Sequence, residues 1–281
     1  MTPEEFIRTA TELPVFPGLV TRLIAATNDA SISATEISEI VEADQSMSAR
    51  LLKLANSTFY GRRGRVATVR HAVVVLGNKT IRSLAVTIWT HAIRGRTRGA
   101  RDAGLSGMLF QHGLACAVCS ELLVARFDSS LEEDAFMAGL LHDIGRLAFV
   151  CNMGTAYAQR ILNPAADEIA PITELERTVM GFDHAQLGGV LLRSWGLPEI
   201  LCHTAEEHHV LAIDPTSNPL LGAVALGNHL ATQMELNVAL TAPRPFRSDL
   251  ETAFGIVEPA DRTAFCDFCK GRVSSLLEAL R

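Results

Sequence analysis

Residues 132–150 read EEDAFMAGLLHDIGRLAFV, and the class of the fold turns on this stretch. Glu132, Glu133 and Asp134 stand at its start, where carboxylates suit the positive end of a helix dipole. Apolar residues then run on both sides of His142–Asp143, AFMAGLL before the pair and LAFV after it. The pattern predicts one buried helix with a polar pair in its middle. A lone His-Asp dipeptide on a helix is ordinarily an exposed polar step, but a buried one needs a partner. An imidazole nitrogen and a carboxylate oxygen side by side come within reach of one divalent ion, which is one way to supply that partner.

Outward from this stretch, the chain holds no proline between Pro17 and Pro164. Long proline-free runs with apolar residues three and four apart favour helix. EISEIVEA carries Ile37, Ile40 and Val41 on one stripe, and SMSARLLKLAN repeats the pattern through Met47, Leu51, Leu52 and Leu54. Two short, closely joined helices are predicted there. Gly77 and Asn78 separate HAVVVLG from the longer KTIRSLAVTIWTHAI. The VVV run could be a strand, but with no strand signals beside it we read a buried helical turn. Further helices are expected over 105–127, 153–163, 171–180, 183–195, 198–209 and 217–236, and a last one from about Pro259. RGRTRGARDAGLSG reads as an exposed joint, dividing the chain into residues 1–100 and 101–281. The expected class is all-α, as two packed helical units.

Composition narrows the function classes. Of 281 residues, 48% are hydrophobic and 20% charged, which excludes general disorder. The start, MTPEEFIRTA, is acidic where a secretory signal needs positive charge and then an apolar core. No stretch approaches the roughly 18 uninterrupted apolar residues of a membrane span. Six cysteines in a chain of this length do not form a disulfide framework, so reduced thiols and a cytoplasmic location are expected. The net charge of -6 conceals a segregation: residues 45–101 carry twelve bases and no acid, between two acidic segments.

Histidines supply the remaining signal. Besides His142, candidates at helical positions are His112 in LFQHGLA, His184 in GFDHAQLGG, and His203, His208 and His209 in CHTAEEHH. Their number exceeds what satisfied core histidines usually account for, and a metal centre is the sharper reading. Two C-x-x-C pairs, Cys116–Cys119 and Cys266–Cys269, are too far apart in sequence for a zinc ribbon on spacing alone. Cys116 lies one turn after His112, although cysteine at such positions is more often small apolar filling.

In order and spacing, His112, His142–Asp143, His184 and His208–His209 resemble the HD superfamily of metal-dependent phosphohydrolases, closest to the branch that cleaves cyclic dinucleotides. LPVFPGLVTRLI, EADQSMSARLLKLANSTFYG and the HAVVVLGNKTIRSL segment are similar to the HDOD domain, the HD-related output domain of bacterial signalling proteins. That resemblance covers about residues 10–210. It implies an N-terminal helical bundle packed on an HD-like helical bundle, and a regulatory or interaction module more often than a catalyst. It also implies one divalent transition metal (iron, manganese, nickel or zinc) on His112, His142, Asp143, His184, His208 and His209.

The chain departs from the catalytic pattern of its active relatives. Where they have a phosphate-contacting lysine after HDIG, Arg146 stands, which keeps the charge but not the point-charge geometry. The terminal metal-binding aspartate is replaced by Asn228, the acidic ligand before the first histidine falls at Met108, and HVLAIDP stands where a GYP motif would. An amide lacks the charge that holds a second cation and helps a bridging water ionise. Asp143 and Arg146 would carry any hydrolysis, which is not the expected activity.

The twelve-base block has a bland reading, a solvated face balancing acidic neighbours. Its sharper reading is a binding surface for a signalling partner, with Arg62, Arg63 and Arg65 in YGRRGRV as the anion or partner contact. A nucleotide second messenger is the second ligand class. DNA is disfavoured, because the helix that would enter a groove is dominated by leucines at core spacing.

Overall fold

Many helices of this chain start where a short polar side chain can cap them. Thr2, Ser33, Asp44, Thr68, Asp183 and Asn218 each accept a bond from a backbone N–H of the first turn. Each such cap contributes about 1 kcal/mol. The structure, a computed structural model, describes residues 1–29, 31–60, 65–93, 100–160, 170–234 and 247–281. Among the described residues there are sixteen α-helices and no strand. They are α1 (Pro3–Thr9), α2 (Gly18–Thr27), α3 (Ala34–Glu42), α4 (Gln45–Ala55), α5 (Val69–Leu76), α6 (Asn78–Ile93), α7 (Ala100–Val124) and α8 (Glu132–Leu141). Then follow α9 (Ile144–Met153), α10 (Thr155–Arg160), α11 (Ile172–Met180), α12 (His184–Ser194), α13 (Glu199–Glu207), α14 (Pro219–Gln233), α15 (Ser248–Ala253) and α16 (Pro259–Leu280). The all-α class holds, and the VVV run lies in α5.

Two compact units share these helices: Met1–Pro14 with Ile93–Asp267, and Val15–Ala92 with Phe268–Arg281. The expected spans, 1–100 and 101–281, differ from these at both chain ends. Packing explains each exchange. Phe6 of α1 meets the rings of Phe149 and Phe182 edge-on, with centroids 5.5 and 5.8 Å apart, so the first helix joins the larger unit. At the other end, Thr58 Oγ1 donates to Ser275 Oγ at 2.9 Å and the Arg272 guanidinium lies 4.0 Å over the Phe59 ring. The last turns of α16 therefore complete the smaller unit. Residues 94–99 of the expected joint lie outside the described residues, and from Ala100 onward the chain is already helical.

In the smaller unit, Val20, Leu23, Ile37, Val41, Leu51 and Leu54 are fully buried. The Asn56 side chain grips Val66 through two 2.8 Å bonds, donating to its carbonyl and accepting from its N–H. In the larger unit, α7 packs along α8 and α14, while α12 packs on α9 and α13. Gly104–Val124 of α7 is long and apolar enough to cross a membrane by length and composition, although Ser106, Gln111, His112, Ser120 and Glu121 interrupt its apolar run. Its packing against α8 and α14 accounts for that apolarity.

The largest difference from expectation falls on the stretch first quoted. Residues 132–150 form two helices, interrupted at His142–Asp143, where Asp143 adopts φ -98° and ψ 17°. Two glycines flank the break because helices touch there backbone to backbone. A Cβ on Gly139 would stand 2.7 Å from the Ala117 Cα, and one on Gly145 would stand 2.1 Å from the His184 carbonyl oxygen. Only glycine permits such approach. Together they draw α7 and α12 against the break.

Candidate metal centre

The break turns Asp143 inward, and four imidazoles surround its carboxylate. His112 comes from α7, and His142 precedes Asp143 in the break itself. His184 is the first residue of α12, held there by the Asp183–Gln186 capping box. His208 follows the end of α13. On Asp143 Oδ1, His184 Nε2 lies at 3.2 Å and His208 Nε2 at 3.6 Å. On Oδ2, His142 Nε2 lies at 3.6 Å, His112 Nε2 at 3.9 Å and Arg146 Nη1 at 3.2 Å. His209 reaches the group through His184, the two Nε2 atoms being 2.8 Å apart. All six predicted ligands thus come together, in two donor groups that share Asp143: one with His184, His208 and His209, the other with His112 and His142. His203 is exposed on α13 and joins neither group.

Hydrogen bonds fix which nitrogen each ring presents. His142 Nδ1 lies 2.8 Å from the Gly139 carbonyl and His208 Nδ1 lies 2.7 Å from the Ala205 carbonyl. A carbonyl only accepts, so each Nδ1 carries the proton and each Nε2 points at Asp143. Burial pushes the His142 pKa well below the ordinary histidine range, overriding the attraction of Asp143. Its Nε2 is therefore a bare lone pair, and it makes no hydrogen bond. Burial opposes ionisation of Asp143, yet the Arg146 charge and the His184 hydrogen bond hold its pKa well below the usual carboxylate range. A buried lone pair facing a buried carboxylate oxygen calls for a cation. His184 is different: burial opposes its charge, but Glu176, followed by Asp143, raises its pKa to about 9. In a cation-free centre a proton on His184 supplies part of that charge, and a metal would take its place.

The two sides of Asp143 are not equally available to a metal. On the α7–α14 side, the Arg146 guanidinium already binds Oδ2, with both side chains buried. There, too, the Asn228 amide oxygen sits 3.0 Å from His112 Nε2. On the α12–α13 side, three histidines face Oδ1 with no guanidinium between them. Donor atoms of that type and number suit a borderline transition-metal ion. The residues fit the metal.

Sequence reasoning missed Glu176 and Tyr157. Glu176 is fully buried on α11 and accepts from His184 Nδ1 at 2.5 Å and from the Tyr157 hydroxyl at 2.6 Å. A signal existed: Glu176 lies four residues after Ile172, on the apolar phase of its helix, where a carboxylate is out of place. The thiols belong elsewhere. Cys116 is buried with its Sγ 3.7 Å from the Val224 carbonyl, and no cysteine enters either donor group among the described residues. Met108 is 41% exposed. Arg62 and Arg63 lie outside the described residues. Arg65 is exposed in the smaller unit and lines an open groove with Lys53 and Asn56.

Beside His208 and His209 lies a cavity of about 730 Å³, walled by Ile172, Arg177, Gln186, Leu211 and Arg247 among others. The half-buried His209 lines it.

An HDOD domain model matches residues 13–211, more than half of the chain. The chain belongs to the HDOD family. An HDOD domain protein of unknown function from Geobacter sulfurreducens superposes with a TM-score of 0.78 at 23% identity, over 99% of this chain and 95% of that one. A candidate phosphohydrolase from Shewanella amazonensis superposes at 0.71 and 25% identity, over 99% and 98%. An uncharacterised protein of Treponema pallidum is 26% identical over 226 residues, 77% of this HDOD chain but 42% of that protein. The chain therefore spans less than half the length of that relative.

Proposed function

We propose that this HDOD protein is a bacterial signalling output module that acts by binding, with one divalent transition metal at Asp143, His184, His208 and His209. The observation that carries this reading is the Arg146–Asp143 ion pair, Nη1 to Oδ2 at 3.2 Å. A guanidinium committed to a buried carboxylate is not free to hold a substrate phosphate. It also neutralises the oxygen that a second cation would need. When bound, a metal of this kind acts as a Lewis acid and makes its water more acidic. Here its residues fasten the ends of α9, α12 and α13 to one point, which suits a structural centre. The exposed bases Arg50, Lys53, Arg65 and Arg70 offer the smaller unit an acidic protein as partner. Six cysteines with no disulfide between them agree with a reducing cytoplasm.

A second reading, metal-dependent hydrolysis of a nucleotide or cyclic dinucleotide, is favoured by the cavity, whose Arg177 and Arg247 stand beside His208 and His209. One experiment separates the two. Protein purified without a metal-affinity column is analysed for elemental content and assayed against nucleotides and cyclic dinucleotides. Binding alone predicts one metal per chain, lost in His184→Ala, with no turnover. Two metals per chain and turnover abolished by Asp143→Ala would overturn it in favour of hydrolysis.

A further inference from the structure

Behind the donor groups lies a buried polar circuit. Glu176 splits its two oxygens. Oε2 accepts from both His184 Nδ1, at 2.5 Å, and the His184 backbone N–H, at 2.8 Å. Oε1 accepts from the Tyr157 hydroxyl at 2.6 Å. Tyr157 is itself fully buried, its ring stacked 5.5 Å from that of Phe149 within the aromatic cluster of the larger unit. Arg146 lies against the same hydroxyl and against Asp143, so the circuit returns to the centre.

A carboxylate buried as fully as that of Glu176 is costly unless its hydrogen bonds offset the lost hydration. Structural filling alone would be served better by leucine. What Glu176 does is specific to one residue: it grips His184 by side chain and main chain together. With Nδ1–H committed to Glu176, the His184 ring has one tautomer and one direction, Nε2 toward Asp143 Oδ1. Outer-shell carboxylates of this kind orient a ligating histidine and raise its basicity.

We infer that Glu176, held in place by Tyr157, is the positioning residue of the centre and sets its affinity for the cation through His184. The inference rests on the reading that His184 is a ligand. The test uses Co²⁺ added to the metal-free full chain, followed by its visible absorption and by competition with a chelator. Glu176→Gln should weaken Co²⁺ binding about 10- to 100-fold and shift the absorption band, with the helical circular dichroism unchanged. Tyr157→Phe should weaken it less, by a few-fold, and Glu176→Asp should recover part of the loss. Wild-type affinity and spectrum in Glu176→Gln would overturn the inference while leaving the metal reading intact. A wild-type protein that takes up no Co²⁺ would overturn both. Should Glu176→Gln fail to fold, Tyr157→Phe decides alone: an unchanged affinity and band refute the inference.

Discussion

On the α7–α14 side of Asp143 the buried polar groups largely answer one another, whereas on the α12–α13 side imidazoles converge on one carboxylate oxygen. His112 has the Asn228 amide and Oδ2 has the Arg146 guanidinium. Opposite them, His184, His208 and His209 bring three ring nitrogens to Oδ1, with Glu176 and the Ala205 carbonyl fixing two of the rings from behind. One carboxylate thus faces an internal cation on one side and a set of imidazole donors that could hold an external cation on the other. On the proposed reading, the difference teaches that departure from a catalytic pattern need not remove a metal site. Protein charge can stand on one side where metal charge would otherwise be.

The sharpest way to break this comparison is to remove the internal cation. Arg146→Ala leaves Asp143 buried against one bare imidazole lone pair, and unpairing a buried ion pair costs about 3–5 kcal/mol. That loss should appear in urea unfolding of the chelator-treated protein. With metal present the cost should shrink, because the metal then balances the same carboxylate. Equal losses in both conditions would show that the guanidinium and the metal do not share Asp143.

Comparable in kind but smaller is the thermal effect of the metal itself. At a metal concentration a hundredfold above Kd, binding to the folded state stabilises by about 2.7 kcal/mol. We expect that rise in melting temperature to vanish in His208→Ala and to persist in His112→Ala, since only His208 belongs to the open side. The reverse pattern would place the metal with His112 and His142.

Much of this was legible before the fold was known, and the exceptions have physical causes. Helix periodicity and absent prolines marked most helices, and a histidine excess marked the residues that gather around Asp143. The break at His142–Asp143 was not visible, because isolated glycines such as Gly139 and Gly145 weaken a helix without fixing where it ends. It is imposed by tertiary contact, where Gly139 and Gly145 let α7 and α12 close on the pair. Phe6 and Thr58 exchange the chain ends between units through contacts that span most of the chain, which no local pattern records. Glu176 was legible in principle, a carboxylate on an apolar helix phase, yet its partner His184 could be found only in space. Arg62 and Arg63 keep their standing as expectations drawn from charge alone.

The gentlest test adjusts the closed side without unpacking it. Asn228→Asp changes one amide to a carboxylate of nearly the same size, 3.0 Å from His112 Nε2. His112 can still donate to it and, once protonated, pair with it, which offsets much of the cost of burying a second carboxylate. What changes is the donor set: His112, His142, Asp143 and residue 228 then supply two carboxylates and two imidazoles to one point. If Asn228 is one of the two locks on this side, the variant should take up a second, weaker equivalent of metal, read by elemental analysis after equilibration with excess ion. Adding Arg146→Lys should strengthen that second equivalent, because lysine cannot reproduce the planar fork of arginine on Oδ2. A stoichiometry that stays at one metal in both variants would mean that the closed side is shut by its packing, and the charge-substitution account would fall.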